Sequence, residues 1–125
     1  MKKIGIVGGS GVTGGELIRI LLNHPMFKIK FIYSLSQNGK NIHEIHPDLL
    51  GKTDIIFSDQ ITTDIDVLFL CLGHGKSKFF LDNYNFKSDT IIIDLSSDFR
   101  LINNNKYTSR NFLYMTDEDW QELHE

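Results

Sequence analysis

The chain has 125 residues, which is enough for one domain of ordinary size. Its 13 basic and 16 acidic side chains give a net charge of −3, which argues against a nucleic-acid-binding surface. No apolar run approaches the roughly 18 to 20 residues that span a bilayer, and a single cysteine excludes an internal disulfide and suits a reducing cytosol. We therefore expect a cytoplasmic domain that binds neither nucleic acid nor membrane.

Five segments have the apolar or β-branched character of strands, and two have helical spacing. The expected strands are Ile4–Val7, Lys28–Tyr33, Asp54–Phe57, Val67–Leu72 and Thr90–Asp94, and the expected helices are Val12–Asn23 and Ser77–Tyr84. The fourth strand is apolar throughout, which is typical of a strand buried on both faces. Strands that alternate with helices predict a Rossmann-type α/β fold, with a doubly wound, mainly parallel sheet in a three-layer αβα arrangement.

The last residues of the chain have a helix-start pattern. Thr116 to Asp119 resembles a capping box, with Met115 and Trp120 at staple positions, and predicts a short helix to about His124. We therefore expect a dinucleotide-binding domain over residues 1–114 and a short C-terminal helix or tail over residues 115–125.

A glycine-rich segment directly follows the first strand and begins the first helix. Gly8, Gly11 and Gly14 are spaced as G-x-x-G-x-x-G, a variant of the dinucleotide-binding fingerprint. We expect Gly8 to turn tightly off the strand, Gly11 to let backbone approach a pyrophosphate, and Gly14 to let the helix lie close on the sheet. A glycine-rich turn without a ligand is the alternative. The cofactor-binding residues predicted in this loop are Gly8, Ser10, Gly11, Val12, Thr13 and Gly14.

The end of the second strand favours NADP over NAD. Proteins that prefer NAD usually carry Asp or Glu there to hold the ribose 2′-hydroxyl, and this chain has none. Ser34 and Ser36 are expected to donate hydrogen bonds to a 2′-phosphate, with Lys40 adding positive charge. The alternative is that these are ordinary polar loop residues.

Two further candidates follow the fourth and fifth strands, at the edge where open α/β sheets bind ligands. His74 is expected either to contact the cofactor or a substrate phosphate, or to shape the turn in which it lies. Ser96 is expected to contact the nicotinamide side of the cofactor.

The remaining titratable side chains do not indicate a catalytic or metal site. Cys71 falls inside the expected fourth strand, where apolar surroundings raise the pKa of a thiol and make it a small core residue. His24, His43 and His46 have no metal-ligand spacing and are expected to be solvated loop residues. We expect no catalytic residue and no metal in this chain.

Four segments resemble motifs of the N-acetyl-gamma-glutamyl-phosphate reductase family, in order and spacing. Besides the glycine loop with its following Leu-Asn-His-Pro, they are His46–Gly51 (family H-P-x-L-x-G), Phe69–Ser77 (F-L-A-L-P-H-G-x-S) and Asp94–Leu101 (D-L-S-A-D-F-R-L). The resemblance runs from about Lys3 to Tyr114. The chain departs from the family at Gly73, where proline is usual, and at Leu35, where many members have arginine between the two serines.

This resemblance implies an enzyme of arginine biosynthesis with the architecture of aspartate-semialdehyde dehydrogenases. Its acyl-phosphate substrate, N-acetyl-glutamyl 5-phosphate, is reduced by NADPH to a semialdehyde through a cysteine thioester. Residues 115–125 do not match the family's cysteine-bearing segment or second, catalytic domain, so this chain is expected to be inactive alone and to belong to a homo-oligomer when full length. A standalone, non-catalytic NADP-binding or regulatory module is the alternative. A short-chain dehydrogenase would need a Tyr-x-x-x-Lys pair, which the chain lacks.

Overall fold

A computed structural model describes residues 1–72, 76–95 and 112–114 of the chain. The strands are β1 (Lys2–Val7), β2 (Phe27–Tyr33), β3 (Phe57–Ser58), β4 (Val67–Leu70), β5 (Ile91–Asp94) and β6 (Phe112–Tyr114). The helices are α1 (Val12–Leu22), α2 (Ile42–Ile45) and α3 (Lys76–Asp82), and a 3-10 turn covers Pro47–Leu49.

These strands form one parallel sheet in the order β3-β2-β1-β4-β5-β6. β1 pairs with β2 on one side and with β4 on the other, so the strand order reverses at β1. That reversal is the switch point of a doubly wound sheet, outside which ligands bind at the carboxyl ends of the strands. The expected Rossmann-type fold is confirmed.

The sheet is buried on both faces, as β4 illustrates. Val67 and Phe69 belong to the apolar core shared with α1, whereas Leu68 and Leu70 belong to the core shared with α3. Successive side chains of a strand point to opposite faces, so a continuous apolar run supplies both cores. Each such side chain contributes roughly 1.5–3 kcal/mol of transfer free energy on burial. The three αβα layers follow from this arrangement.

Helix α1 forms where the sequence places apolar residues on one face. Leu17, Ile18 and Leu21 are fully buried against the sheet. The helix ends at the Asn23 cap, whose side-chain amide donates to the carbonyl oxygen of Arg19 at 3.1 Å. The proline at 25 then disfavours further helix, as expected.

Several element bounds differ from the sequence-based expectation. β4 ends at Leu70, so Cys71 lies beyond the strand. The third strand covers Phe57–Ser58 rather than residues 54–57, and Ile56, just before it, forms an isolated antiparallel bridge with Asn41 instead of pairing with β2. Helix α2, the 3-10 turn and β6 were not expected. The helix expected after residue 115 lies outside the described residues.

Candidate functional site

A cleft of about 440 Å³ opens at the switch point, at the carboxyl ends of β1, β2 and β4. Five of the predicted cofactor-binding residues line it: Gly8, Ser10, Gly11, Ser34 and Ser36. The rest of its lining comes from Tyr33, Leu35, Cys71, Leu72 and Lys76. The cleft therefore brings together the glycine loop, the residues that follow β2 and β4, and the first residue of α3.

Gly8 makes the tight turn off β1 that the sequence predicts. Its φ is +85°, in the left-handed region that favours glycine. Its backbone N–H donates to the carbonyl oxygen of Tyr33 at 3.0 Å, which joins the loop to the end of β2. The chain thus leaves the sheet directly beneath the cleft.

Gly11 leaves open space at the start of α1. It is the N-cap residue of the helix, and among the residues that the structure describes no heavy atom lies within 4 Å of the position that a Cβ would take. Glycine at the N-cap has no side-chain oxygen with which to accept from the first-turn N–H groups. Exposed Val12 and Thr13 lie in this first turn but outside the cleft lining. The arrangement suits an anion at the helix N-terminus.

Gly14 and Gly9 allow close packing around the loop, in a way that differs from the expectation. A Cβ on Gly14 would lie 2.6 Å from the Cα of Gly9, so at this position α1 packs against the loop that precedes it. A Cβ on Gly9 would lie 2.4 Å from Cγ2 of Ile32, so Gly9 is the glycine that contacts the sheet. Gly9, rather than Gly14, the last glycine of the fingerprint, therefore allows close contact with β2.

His46 is a contact to the loop that sequence reasoning missed. Its Nε2 lies 2.7 Å from the carbonyl oxygen of Gly9, and the residue is half-buried. The expectation that His46 is a solvated loop residue is therefore wrong. The contact joins residues 37 positions apart, so no local pattern predicts it. The one hint in the sequence that His46 has a role was its place in the segment that resembles the family motif H-P-x-L-x-G.

Ser34 and Ser36 follow β2 side by side. Their hydroxyl oxygens are 3.4 Å apart. Ser34 is buried and accepts a hydrogen bond from the backbone N–H of Gln37 at 3.3 Å, whereas Ser36 is exposed. Leu35, between them, is 69% exposed. Ser34 thus shapes the turn, and Ser36 is the more accessible donor.

Lys76 and Tyr33 also line the cleft and were not identified from the sequence as site residues. Lys76 is the first residue of α3 and exposed, and it supplies positive charge opposite the serines. Lys40, which the sequence suggested as a source of positive charge for the 2′-phosphate, lies outside the cleft lining. Tyr33 packs against Phe80 with ring centroids 5.5 Å apart, and burial together with Tyr84 raises the pKa of its hydroxyl.

Cys71 lies in the cleft wall rather than inside a strand, which corrects the expected position. The residue is half-buried and packs against the core under α1. Desolvation, reinforced by the charge of Asp94, raises the pKa of its thiol from 9.0 to about 12. A thiol in this state is a poor nucleophile near neutral pH.

The other two predicted cofactor residues, His74 and Ser96, lie outside the described residues. Within residues 1–72 and 76–95, no group of three His, Cys, Asp or Glu side chains is placed to hold a metal ion. None of the helices that the structure describes is long and apolar enough to cross a membrane.

Comparison with known proteins identifies the domain. Residues 3–120 match the family described as semialdehyde dehydrogenase, NAD-binding domain. The chain belongs to this family. A semialdehyde dehydrogenase NAD-binding domain accounts for the glycine loop at the switch point and for the cleft beside it.

Two curated relatives of this NAD-binding domain share a name. N-acetyl-gamma-glutamyl-phosphate reductase from Christiangramia forsetii is 51% identical over 114 residues, which are 91% of this chain and 34% of the relative. The enzyme of that name from Bacteroides thetaiotaomicron is 49% identical over 115 residues, again 91% and 34%. The chain thus spans about a third of the length of these relatives, and it is similar to them over nearly all of its own length.

Solved structures agree on the fold. An aspartate semialdehyde dehydrogenase from Candida albicans, determined with NADP, matches 81% of this chain and 31% of its own length, with a TM-score of 0.65 and 20% identity. Aspartate semialdehyde dehydrogenase II from Vibrio cholerae matches 91% of this chain and 37% of its own, with a TM-score of 0.67 and 14% identity. At these identities the likeness concerns the fold alone.

Proposed function

We propose that this chain is the NADP-binding domain of an N-acetyl-gamma-glutamyl-phosphate reductase, acting in the cytoplasm. The observation that carries the proposal is the identity of about one half to curated reductases over 91% of the chain. We propose that the dinucleotide-binding domain extends over residues 1–114. The protein of which this domain is part reduces an acyl phosphate to a semialdehyde and assembles as a homo-oligomer.

The residues of the cleft fit a dinucleotide. The open space at Gly11 and the uncapped N–H groups of α1 suit a diphosphate, which needs close backbone approach and donors without competing side chains. Ser10 lines the same space, and Lys76 supplies charge from the opposite wall. When bound, the cofactor supplies a hydride, and the domain's task is to hold and orient it. Following their positions in the sequence, we propose that Ser96 contacts the nicotinamide side of the cofactor and that His74 contacts the cofactor or a substrate phosphate.

The residues after β2 support NADP rather than NAD. A carboxylate there would accept hydrogen bonds from a 2′-hydroxyl and repel a 2′-phosphate. This domain instead places the hydroxyl of exposed Ser36 next to that of Ser34, 3.4 Å away. Lys76 lies across the cleft, beyond β4, so its charge acts on the diphosphate that both cofactors share. The preference for NADP therefore rests on the two serines.

Calorimetric titration of the 125-residue chain with NADPH and NADH tests the cofactor assignment. We expect saturable binding with NADPH preferred, and Ser36→Asp should shift the preference toward NADH. Ser36→Ala is the matched control, because it removes the hydroxyl without adding charge. Equal affinities for the two cofactors, or tighter binding of NADH, would contradict the proposal.

Sequencing the gene beyond codon 125 tests the enzyme assignment, for which a segment Asn-Pro-Gly-Cys is the expected result.

A further inference from the structure

His46 lies on a backbone that is fixed from both sides. Its N–H donates to the carbonyl oxygen of Ile42 at 2.9 Å, which ends helix α2. Its own carbonyl oxygen accepts from the N–H of Leu49 at 2.9 Å, which begins the 3-10 turn. Pro47 follows directly and restricts the conformation of the residue before it. The imidazole therefore projects from a defined anchor.

The imidazole is held against the glycine loop. Nε2 lies 2.7 Å from the carbonyl oxygen of Gly9. A carbonyl oxygen can only accept, so Nε2 carries the proton in this bond. The ring also packs beside Phe57, with centroids 6.2 Å apart.

Gly15 provides the space that this ring needs. A Cβ on Gly15 would lie 2.6 Å from both Cε1 and Nδ1 of His46. Any side chain at position 15 would therefore push the ring from its place over Gly9. The absence of a side chain at Gly15 thus leaves room for the imidazole of His46.

The hydrogen bond to Gly9 determines the direction of the next amide. In a trans peptide the C=O and the following N–H point in opposite directions. A Gly9 carbonyl directed at His46 therefore turns the N–H of Ser10 away from His46. Ser10 lies in the lining of the cleft, beside Gly11.

We propose that His46 is a positioning residue for the cofactor diphosphate, which it serves by holding the Gly9–Ser10 peptide in the orientation that presents the Ser10 N–H. This role rests on the proposed function, since it requires a dinucleotide in the cleft. His46 itself lies outside the cleft lining and acts through the loop.

Two variants of the 125-residue chain separate the hydrogen bond from the bulk of the side chain. His46→Leu removes the donor, whereas His46→Gln keeps an N–H donor of comparable reach. Each is titrated with NADPH and with adenosine 2′-monophosphate, which has the 2′-phosphate but no diphosphate. We expect His46→Leu to weaken NADPH roughly tenfold, the scale of one lost hydrogen bond, and to leave adenosine 2′-monophosphate within about twofold. His46→Gln should restore most of the NADPH affinity.

Gly15→Ala tests the same contact without touching His46. Alanine favours a helix interior over glycine, so the variant should unfold at no lower temperature while displacing the ring and weakening NADPH roughly tenfold. Unchanged NADPH affinity in both His46→Leu and Gly15→Ala would overturn the role of His46. Equal weakening of NADPH and adenosine 2′-monophosphate would also overturn it, because it would indicate general damage. If the unsubstituted chain bound no NADPH, the proposed function would fail, and the role of His46 with it.

Discussion

The backbone carbonyl oxygen of Cys71 occupies the space that a side chain on Gly8 would need. A Cβ on Gly8 would lie 2.7 Å from that oxygen, and the φ of Gly8 is +85°. β1 and β4 pair up to Val7 and Leu70, so Gly8 and Cys71 are the first residues past the paired strands. The Cys71 N–H also donates to the carbonyl oxygen of Val7 at 2.8 Å. At the floor of the cleft, the backbone after β1 and the backbone after β4 are therefore in direct contact.

Gly8→Ala should destabilise the fold more than the same change at Gly39. Both glycines have φ +85°, but a Cβ on Gly39 would meet no atom of a described residue within 4 Å. Gly39→Ala therefore reports backbone strain alone, about 1 kcal/mol. Gly8→Ala adds a collision with backbone that cannot rotate away, for a total of about 3 kcal/mol. Urea unfolding of the two variants gives the difference, and equal losses would show that the loop relaxes around a methyl group.

Gly11→Val should abolish cofactor binding while leaving the fold nearly intact. In the described part of the chain no atom lies within 4 Å of a Cβ at this position, so the branched side chain would fill the space assigned to the diphosphate. We expect the free energy of unfolding to fall by no more than about 1 kcal/mol, the scale of an unfavourable N-cap residue. Circular dichroism and NADPH titration measure the two effects.

Gly9→Ala is the matched control for Gly11→Val. Its Cβ would lie 2.4 Å from Ile32 Cγ2, so it should lose stability as well as binding. Retained NADPH binding in Gly11→Val would contradict the assignment of this loop to the cofactor.

Lys76→Ala should weaken NADPH and NADH by similar factors, roughly tenfold each, because its charge acts on the shared diphosphate. Lys78→Ala is the control, since Lys78 is an exposed cation on the same helix but lies outside the cleft lining. Titrations at two ionic strengths should show a weaker salt dependence in the Lys76 variant. A selective loss of NADPH would instead place Lys76 at the 2′-phosphate.

Four strands of the sheet, β1, β2, β4 and β5, could be predicted because their apolar or β-branched runs are visible in the sequence. The run from Val67 to Leu70 is apolar at every position, which is the pattern of a strand buried on both faces. The glycine loop was equally predictable, because its glycines directly follow the first strand and precede the first helix. The positive φ at Gly8 fits that prediction. Local sequence carries both signals.

Contacts between distant segments could not be predicted in the same way. The use of Gly15 depends on His46, which the chain brings into place by a four-residue helix and a 3-10 turn too short to leave a periodic pattern. Lys76 lines the cleft because α3 begins at this residue, whereas the sequence predicted that the helix begins at Ser77. Cys71 was expected in a strand because its apolar run continues past Leu70, where pairing with β1 ends.

Cys71 should be unreactive in the folded chain and should make stability fall at high pH. Its pKa of about 12 leaves almost no thiolate near neutral pH, so alkylation by iodoacetamide at about pH 8 should be at least about a hundredfold slower than in the urea-unfolded chain. The unfolded chain ionises this thiol near pH 9, whereas the folded chain keeps it protonated to about pH 12. Its contribution to stability is therefore complete below about pH 9 and is lost as pH rises toward 12.

Cys71→Ser supplies the control for this prediction. Serine does not ionise in that range, so the fall in unfolding free energy between about pH 9 and 11 should be smaller in the variant. The raised pKa also argues against Cys71, the single cysteine of the chain, as the thiolate that an acyl-phosphate reductase requires. Rapid alkylation of the folded chain at about pH 8, or an unchanged pH profile in Cys71→Ser, would show that the thiol is not held in apolar surroundings and would reopen its candidacy as a nucleophile.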